Sequence, residues 1–270
     1  MSEGTRAADD LGRAASGTDV FVKRRVDAPP GYFAVEAAGL RWLAEAPGGV
    51  RVVQPLSVHD DRLVLPRLPE VVPTAAAAEE LGRRLARTHA AGAAHHGSGP
   101  DGWQGDGYIG PLVLPLRPGT AWGPWYAEHR LLPYLRNAHD AGAVTGEQSA
   151  VIARLLDRLV AEPDLAGDVE TPARLHGDLW TGNVMWTGDG VVLVDPAAHG
   201  GHRETDLAML ALFDLPHLGS VLAAYDEAAP LAAGWRERVG LHQVHPLLVH
   251  AVLFGGGYGR HAAELASRYV

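Results

Sequence analysis

The stretch that decides the fold lies between residues 175 and 195. Residues 175–183 have the sequence LHGDLWTGN, and residues 184–195 continue with VMWTGDGVVLVD. The apolar runs VMW and VVLV flank a four-residue turn with two glycines, a pattern that predicts a β-hairpin. Because a hairpin folds back on itself, we expect Asn183, just before its first strand, to lie close to Asp195, just after its second strand.

Three oxygen-bearing side chains in this stretch point to phosphate chemistry. The amide of Asn183 and the carboxylate of Asp195 are the kind of oxygen ligands that Mg²⁺ takes. Asp178, on the preceding loop, is then free to accept a proton or orient a hydroxyl. An acid, a later Asn and a metal-binding acid after a hairpin are the layout of kinase phosphoryl transfer. The alternative, a polar loop that only caps a hairpin, does not account for the ordered combination.

The motifs resemble those of one family. HGDLWTGN at 176–183 and VDPAAHGGHRETDLAM at 194–209 are similar to the fructosamine kinase (ketosamine 3-kinase) family, a branch of the aminoglycoside phosphotransferase and protein-kinase-like fold. The resemblance implies an α+β, two-lobed fold. Its N-lobe, a small antiparallel sheet with a helix, is expected at residues 1–68, and a mainly helical C-lobe at 69–270.

The same resemblance implies an activity. We expect ATP and Mg²⁺ as cofactors and, as the substrate, a small-molecule ketosamine or a glycated lysine. The phosphorylated atom is expected to be the sugar O3 of a fructosamine- or ribulosamine-type adduct, which destabilises the adduct and so deglycates the amine. Two alternatives remain open: the same chemistry on an aminoglycoside, a choline-like alcohol or a thiosugar, and a nucleotide-binding pseudokinase without turnover.

The expected roles in the motifs follow from this resemblance. Asp178 is the catalytic residue, and Asn183 with Asp195 holds the metal. Trp180, close to Asp178, is expected to stack on the sugar. Support of the acceptor or of the loop is expected from His176, His202 and Asp206. Asp206 would anchor the backbone of the catalytic loop, although an acid in the first turn of a helix also suits the helix dipole.

A lysine and a glutamate are predicted to form an ion pair in the N-lobe. Residues 19–23 (DVFVK) alternate like a strand and end at Lys23. A helix is predicted over residues 32–45, where Glu36 lies one turn before Leu40 on the inward side. An acid in that position is costly unless it is paired, and Lys23 is the obvious partner. The alternative is a surface Glu36; by resemblance, the pair would hold the ATP phosphates.

The connector between the lobes is predicted from its prolines. Pro66, Arg67 and Leu68 precede Pro69, and two prolines in four residues make a stiff linker. By resemblance, the backbone of Pro66, Arg67 and Leu68 binds the nucleotide.

The remaining chain is predicted to be mostly helical. Thr74 is the expected N-cap of a helix that runs to His89. Further helices are expected at 122–136, 146–161, 205–213 and 235–253, with a last helix after the glycine-containing bend at 254–258. Residues 97–118 are expected to be a loop-rich insert. Histidines 89, 95 and 96 are expected to be structural, because no acid or Cys stands at ligand spacing.

Composition excludes several functional classes. The 270 residues carry a net charge of −9 and no basic block, so we expect neither nucleic acid nor a membrane as a partner. No run of about 20 apolar residues occurs, and there is no Cys for a disulfide, a thiolate metal site or a nucleophile. A cytoplasmic monomer is expected.

The N-terminus departs from the family pattern. The best match to the phosphate-covering turn is residues 2–5 (SEGT), and the strand that normally precedes this turn is expected to be missing. We therefore expect a loosely held γ-phosphate and a high KM for ATP, because one flank of the turn is a free terminus.

Overall fold

The structure is a computed structural model that describes residues 8–13, 19–167 and 170–270. Its strands are β1 (Ala8–Arg13), β2 (Asp19–Arg24), β3 (Arg51–Val52), β4 (Ser57–Val58), β5 (Arg62–Pro66), β6 (Gly107–Ile109), β7 (Leu112–Leu114), β8 (Ala173–Leu175), β9 (Val184–Thr187), β10 (Gly190–Leu193) and β11 (His199–Gly201). Its α-helices are α1 (Tyr32–Ala44), α2 (Ala75–Ala90), α3 (Trp122–Tyr126), α4 (Leu132–Asp140), α5 (Gly146–Ala161), α6 (Glu204–Leu212), α7 (Leu218–Ala228), α8 (Trp235–Phe254) and α9 (Tyr258–Ala266).

The first sheet has four antiparallel strands in the order β1-β2-β5-β4. In β2, Val20 and Val22 are buried while Lys23 on the opposite face is half-buried, as its alternation predicts. Strand β1 was not predicted from the sequence. Its sequence ADDLGR lacks β-branched residues, so pairing with β2 along all six residues decides its conformation rather than propensity. The expected phosphate-covering turn at 2–5 lies outside the described residues.

Helix α1 packs against this sheet through its apolar side. Phe33, Ala37, Leu40 and Leu43 are buried in a core that also contains Leu63 of β5. The helix starts directly after Gly31, which adopts φ 80 and ends the preceding proline-rich break. The same helix presents Glu36 to Lys23 of β2, a strand that is paired on both sides in this sheet.

The predicted hairpin is present and is longer than expected by one residue in its first strand. β9 and β10 pair antiparallel from Val184↔Leu193 to Thr187↔Gly190. β3 adds to β10 in parallel, so the first 68 residues contribute one strand to the sheet that carries the central motif. The strands β8 and β11 pair beside it, and β6 with β7 forms a short hairpin within the insert that was expected to be mainly loop.

The helical part is built around α8. Pro246 inside α8 has no N–H to donate to the carbonyl of His242, and the Tyr126 hydroxyl donates to that carbonyl instead at 3.2 Å. The helix predicted at 122–136 is interrupted by a π-helical turn at Ala127–Leu131, immediately before Pro133. Helix α7 was not predicted; it packs on α2, whose N-cap Thr74 accepts from the backbone N–H of Ala77 as expected.

Within the described ranges, no helix combines the length and the apolar character that crossing a lipid bilayer requires.

Candidate active site

The carboxylate of Asp206 anchors the backbone of the loop between β8 and β9. Asp206 in the first turn of α6 accepts the backbone N–H groups of His176 at 2.8 Å and Gly177 at 2.9 Å. Gly177 has φ 82, and a Cβ there would overlap the carbonyl of Ala197, so only glycine fits. The imidazole of His176 is fully buried and lies 2.9 Å from the carbonyl oxygen of Val194, which ties the loop to the end of the hairpin.

The anchoring carboxylate is stabilised in its charged form. His89 lies 3.2 Å from Asp206 and contacts the Tyr225 hydroxyl with its other nitrogen. Burial alone raises the pKa of Asp206, but the contacts with His89, His176 and Gly177 outweigh it and lower that pKa below its usual value. His89 is therefore structural, as its position at a helix end indicated.

Asp178 has the opposite environment. Among the residues that the structure describes, its carboxylate accepts one hydrogen bond, from the Asn183 amide at 3.1 Å. Burial raises the pKa of Asp178 to about 7, and the neighbouring charge of Asp195 acts in the same direction. A carboxyl with a pKa near neutrality is suited to accept a proton from a substrate group.

Lys23 forms ion pairs both with helix α1 and with the segment after the hairpin. Its ammonium lies 2.7 Å from Glu36 of α1 and 3.0 Å from Asp195 after the hairpin, so the ion pair predicted from the helix periodicity is present. Burial lowers the pKa of Lys23, but the carboxylates of Glu36 and Asp195 outweigh this effect and raise it. The lysine is a permanent cation between two acids.

Asn183 and Asp195 converge as the hairpin predicts. The Asn183 amide nitrogen donates to the carbonyl of Asp178 at 2.8 Å and lies 3.4 Å from the carbonyl of Asp195. In the part of the chain that the structure describes, no group donates to the amide oxygen of Asn183 or to the second carboxylate oxygen of Asp195. Asp195 adopts φ 54, a conformation that is costly for a non-glycine residue and is typical of functional positions. Two hard oxygens without donors fit a Mg²⁺ ion.

Two cavities meet at Asp195, which lines both of them. The first, of about 750 Å³, is lined by Pro66, Arg67 and Leu68 of the connector together with residues of β2, β5 and the hairpin. The lining is mainly apolar, including Phe21, and it reaches Asp195. A mainly apolar cavity lined by the connector is suited to an aromatic base.

The second cavity, of about 730 Å³, contains Lys23, Glu36, Asp178, Asn183 and Asp195 at its charged side. Aromatic residues line the rest of it: Tyr32, Tyr108, Trp180, Phe213, His250, Phe254 and Tyr258. Of these rings, the sequence analysis assigned only Trp180 to the site. Their signal was an aromatic spacing of four residues at 250, 254 and 258, which continues across the glycine bend.

Three expected site residues line neither cavity: His176 and Asp206, which hold the loop, and His202. His202 is also remote from the loop contacts. Its ring stacks on His242 at 5.1 Å and lies 5.9 Å from Trp122, inside the helical core. Burial and the neighbouring His242 lower the pKa of His202 well below its usual value, which keeps the ring neutral. The structure therefore brings this histidine neither to the loop between β8 and β9 nor to either cavity.

Comparison with known proteins agrees with this arrangement. The sequence profile described as Fructosamine kinase matches residues 7–270. A probable ketoamine kinase of Thermus thermophilus is 35% identical over 238 residues, which cover 88% of this chain and 82% of that protein. A crystal structure from Thermobifida fusca, provisionally named fructosamine-3-kinase, has a TM-score of 0.87 at 48% identity and covers 97% of this chain and 92% of that one.

More distant structures share the fold alone. Choline kinase LicA of Streptococcus pneumoniae has a TM-score of 0.61 at 14% identity, covering 99% of this chain and 91% of that one. The fold is thus the α+β, two-lobed protein-kinase-like fold, with a small antiparallel sheet in one lobe and mainly helices in the other. The chain belongs to the fructosamine kinase family and is a phosphotransferase that uses a hydroxyl group as its acceptor.

Proposed function

We propose that the protein is an ATP- and Mg²⁺-dependent kinase that phosphorylates a ketosamine of the fructosamine or ribulosamine type. The observation that carries the proposal is Asp178, a carboxyl with a pKa of about 7 in a cavity rich in aromatic side chains. The Lys23–Glu36–Asp195 ion-pair cluster lies in the same cavity. Family membership gives the reaction type, and the aromatic lining suits a sugar ring with an organic substituent.

The nucleotide is assigned to the first cavity. The backbone of Pro66, Arg67 and Leu68 would hydrogen-bond adenine, while Lys23, oriented by Glu36, would contact the phosphates. Asn183 and Asp195 would hold Mg²⁺, which when bound supplies positive charge to the phosphate oxygens.

Asp178 is the proposed catalytic residue for the acceptor. Its carboxylate takes the proton of the attacking hydroxyl as the oxygen–phosphorus bond forms, and ADP leaves with the electron pair of the broken bond. His176 and Asp206 hold the loop so that this carboxylate keeps its position. Trp180 is proposed to stack on the sugar face, since its ring lines the same cavity.

The finer features of the proposal rest on the family resemblance. The phosphorylated atom is the sugar O3, the substrates include adducts on protein lysines, and the result is deglycation. The lobes meet at residue 68, and the protein acts as a monomer in the cytoplasm.

The proposal is tested by ATP consumption with ribulosamine, fructosamine and kanamycin as acceptors, with and without Mg²⁺. We expect Mg²⁺-dependent turnover with the two ketosamines and, for kanamycin, a kcat/KM lower by roughly 100-fold or more, an order-of-magnitude figure for a pocket that mismatches its substrate. Preference for kanamycin would refute the acceptor class. Nucleotide binding without turnover of any acceptor would make the protein a pseudokinase.

A further inference from the structure

One side of the acceptor cavity is formed by four rings that the proposed phosphoryl transfer does not use. We call Phe213, His250, Phe254 and Tyr258 the aromatic wall. The His250 ring lies at its centre, with ring centroids 4.9 Å from Phe213, 5.5 Å from Phe254 and 5.2 Å from Tyr258. Phe254 is 67% exposed and lines the cavity.

The hydrogen bonding of His250 fixes its tautomer. Its Nδ1 lies 2.8 Å from the carbonyl oxygen of Pro246, which can only accept, so Nδ1 carries the hydrogen. Burial lowers the pKa of His250, which keeps the ring neutral at pH 7. Nε2 is then an acceptor, and within the described residues it has no hydrogen-bond partner.

The four rings of the aromatic wall carry no formal charge, whereas other residues that line the cavity do. Lys23, Glu36, Asp178 and Asp195 are the formally charged lining residues, and three of these four are ion-paired with one another. The wall itself offers ring faces, the Tyr258 hydroxyl and one neutral acceptor nitrogen, Nε2 of His250. Ring faces attract organic cations, and an acceptor without a partner attracts an N–H donor. A protonated amine with an apolar substituent satisfies both.

A ketosamine carries such a group at a suitable place. Its amine nitrogen is attached to C1 of the sugar, two carbons from the C3 hydroxyl that is proposed to face Asp178. Trp180, two residues after Asp178, contacts Phe213 edge-to-face at 5.9 Å. The rings therefore continue from the catalytic loop to the wall without interruption.

We propose that the aromatic wall binds the protonated amine of the acceptor, with His250 Nε2 accepting one ammonium N–H. The wall thereby selects ketosamines whose amine bears an apolar or aromatic substituent. This inference rests on the proposed function and adds a specificity-determining residue, His250, which takes no part in the chemical step.

The test uses two probes that differ in one atom: 1-benzylamino-1-deoxyfructose, which has the ammonium, and 1-O-benzylfructose, which has an ether oxygen. Both are measured as substrates, for kcat and KM, and as ligands, for Kd by calorimetry. The variants are His250→Phe, which keeps a ring and loses the acceptor, and His250→Gln, whose amide oxygen can accept. His261→Gln, at an exposed position of α9, is the matched control.

In the wild type we expect the amine to bind more tightly than the ether. His250→Phe should raise KM and Kd for the amine roughly tenfold, because a hydrogen bond to a charged group is lost. The values for the ether, the KM for ATP and kcat should change less than about twofold. His250→Gln should restore part of the preference for the amine, and His261→Gln should behave as the wild type.

Two results would overturn the inference: equal loss for amine and ether in His250→Phe, which indicates packing only, and no preference for the amine in the wild type. Failure of the proposed function is a separate outcome. If neither compound is phosphorylated, the two Kd values still decide whether the wall recognises the ammonium, and binding of neither compound refutes it. Melting temperatures of the variants verify that they are folded.

Discussion

Asp206 and Asp178 lie on the two sides of the catalytic loop, and their electrostatic environments are opposite. Asp206, on the buried side, receives N–H groups from His176 and Gly177 and a contact from His89, and its pKa is lowered. Asp178, on the cavity side, receives one hydrogen bond from an amide and faces the charge of Asp195. Its pKa is raised to about 7.

This contrast shows how stability and function are divided. The fold supplies donors to the carboxylate that holds the loop, so ionised Asp206 stabilises the native state. The carboxylate of Asp178, which faces the cavity, accepts fewer hydrogen bonds. Its ionised form therefore lowers the stability of the folded state, which suits the proposed role of proton acceptor. The predictions below test the proposed roles of residues on the two sides of this loop.

The largest effect is expected for Asp178→Asn. The substitution removes the proton acceptor, so kcat should fall roughly 10³-fold, while the Kd for ATP should change less than about twofold because the metal-binding oxygens remain. The melting temperature at pH 8 should not fall, since a carboxylate with a raised pKa is replaced by a neutral amide. Steady-state kinetics, nucleotide titration and thermal unfolding measure the three quantities.

Asp189→Asn, in the exposed turn of the hairpin, is the matched control and should leave all three quantities unchanged. A large loss of ATP affinity in Asp178→Asn would contradict the assignment of this residue to the acceptor.

Asp206→Asn should mainly cost stability. The amide can accept only with its oxygen, which leaves buried N–H groups without a full partner, and we expect a loss of about 3 kcal/mol. The melting temperature should fall by roughly 8 °C. Asp157→Asn, at an exposed position of α5, is the control.

The pH dependence gives the sign of this effect. Because the folded-state pKa of Asp206 is lowered, its stabilisation is present above the unfolded pKa and is lost as pH falls through the folded pKa. The stability difference between the wild type and Asp206→Asn should therefore be full at pH 7 and shrink below about pH 4. A difference that grows on acidification would show that another group anchors the loop.

The contacts on the cavity side of the loop could largely be predicted from the sequence, because most of them join residues that are close together in the chain. A hairpin fixes the distance between Asn183 and Asp195 through backbone pairing alone, and helix periodicity aims Glu36 at Lys23. These arguments need no knowledge of distant segments. They give the contacts, whereas the roles of the residues remain predictions.

Other features depend on tertiary packing and could not be predicted in this way. The aromatic wall comes from residues well after the catalytic loop in the chain, and the four-residue aromatic spacing at 250, 254 and 258 does not by itself show that this face of α8 meets the cavity. Strand β1 has no strand-forming composition and is held by its neighbour β2. His202 stands in a family motif yet packs in the core, because a motif does not separate structural from functional members.

The smallest effect concerns the acceptor side of the same loop, at Trp180. Trp180→Ala should raise the KM for a ketosamine roughly tenfold and leave the KM for ATP and kcat nearly unchanged, since stacking acts through uniform binding. Val160→Ala, at an exposed position of α5 far from both cavities, is the control and should leave all three values unchanged. A lower melting temperature with an unchanged acceptor KM would make Trp180 a packing residue.

Gly182 sharpens this test, because a Cβ at this position would overlap the Trp180 ring. Gly182→Ala should therefore displace the ring and raise the ketosamine KM several-fold, without removing any group that contacts the sugar. In the double variant Trp180→Ala/Gly182→Ala the overlap is gone, so its KM should equal that of Trp180→Ala alone. Such non-additivity is expected of residues that act through one contact. Since Gly182 also lines the nucleotide cavity, the KM for ATP is measured in parallel. If the two single effects add in the double variant, Gly182 acts independently of the Trp180 ring, and a raised KM for ATP would then assign its effect to the nucleotide cavity.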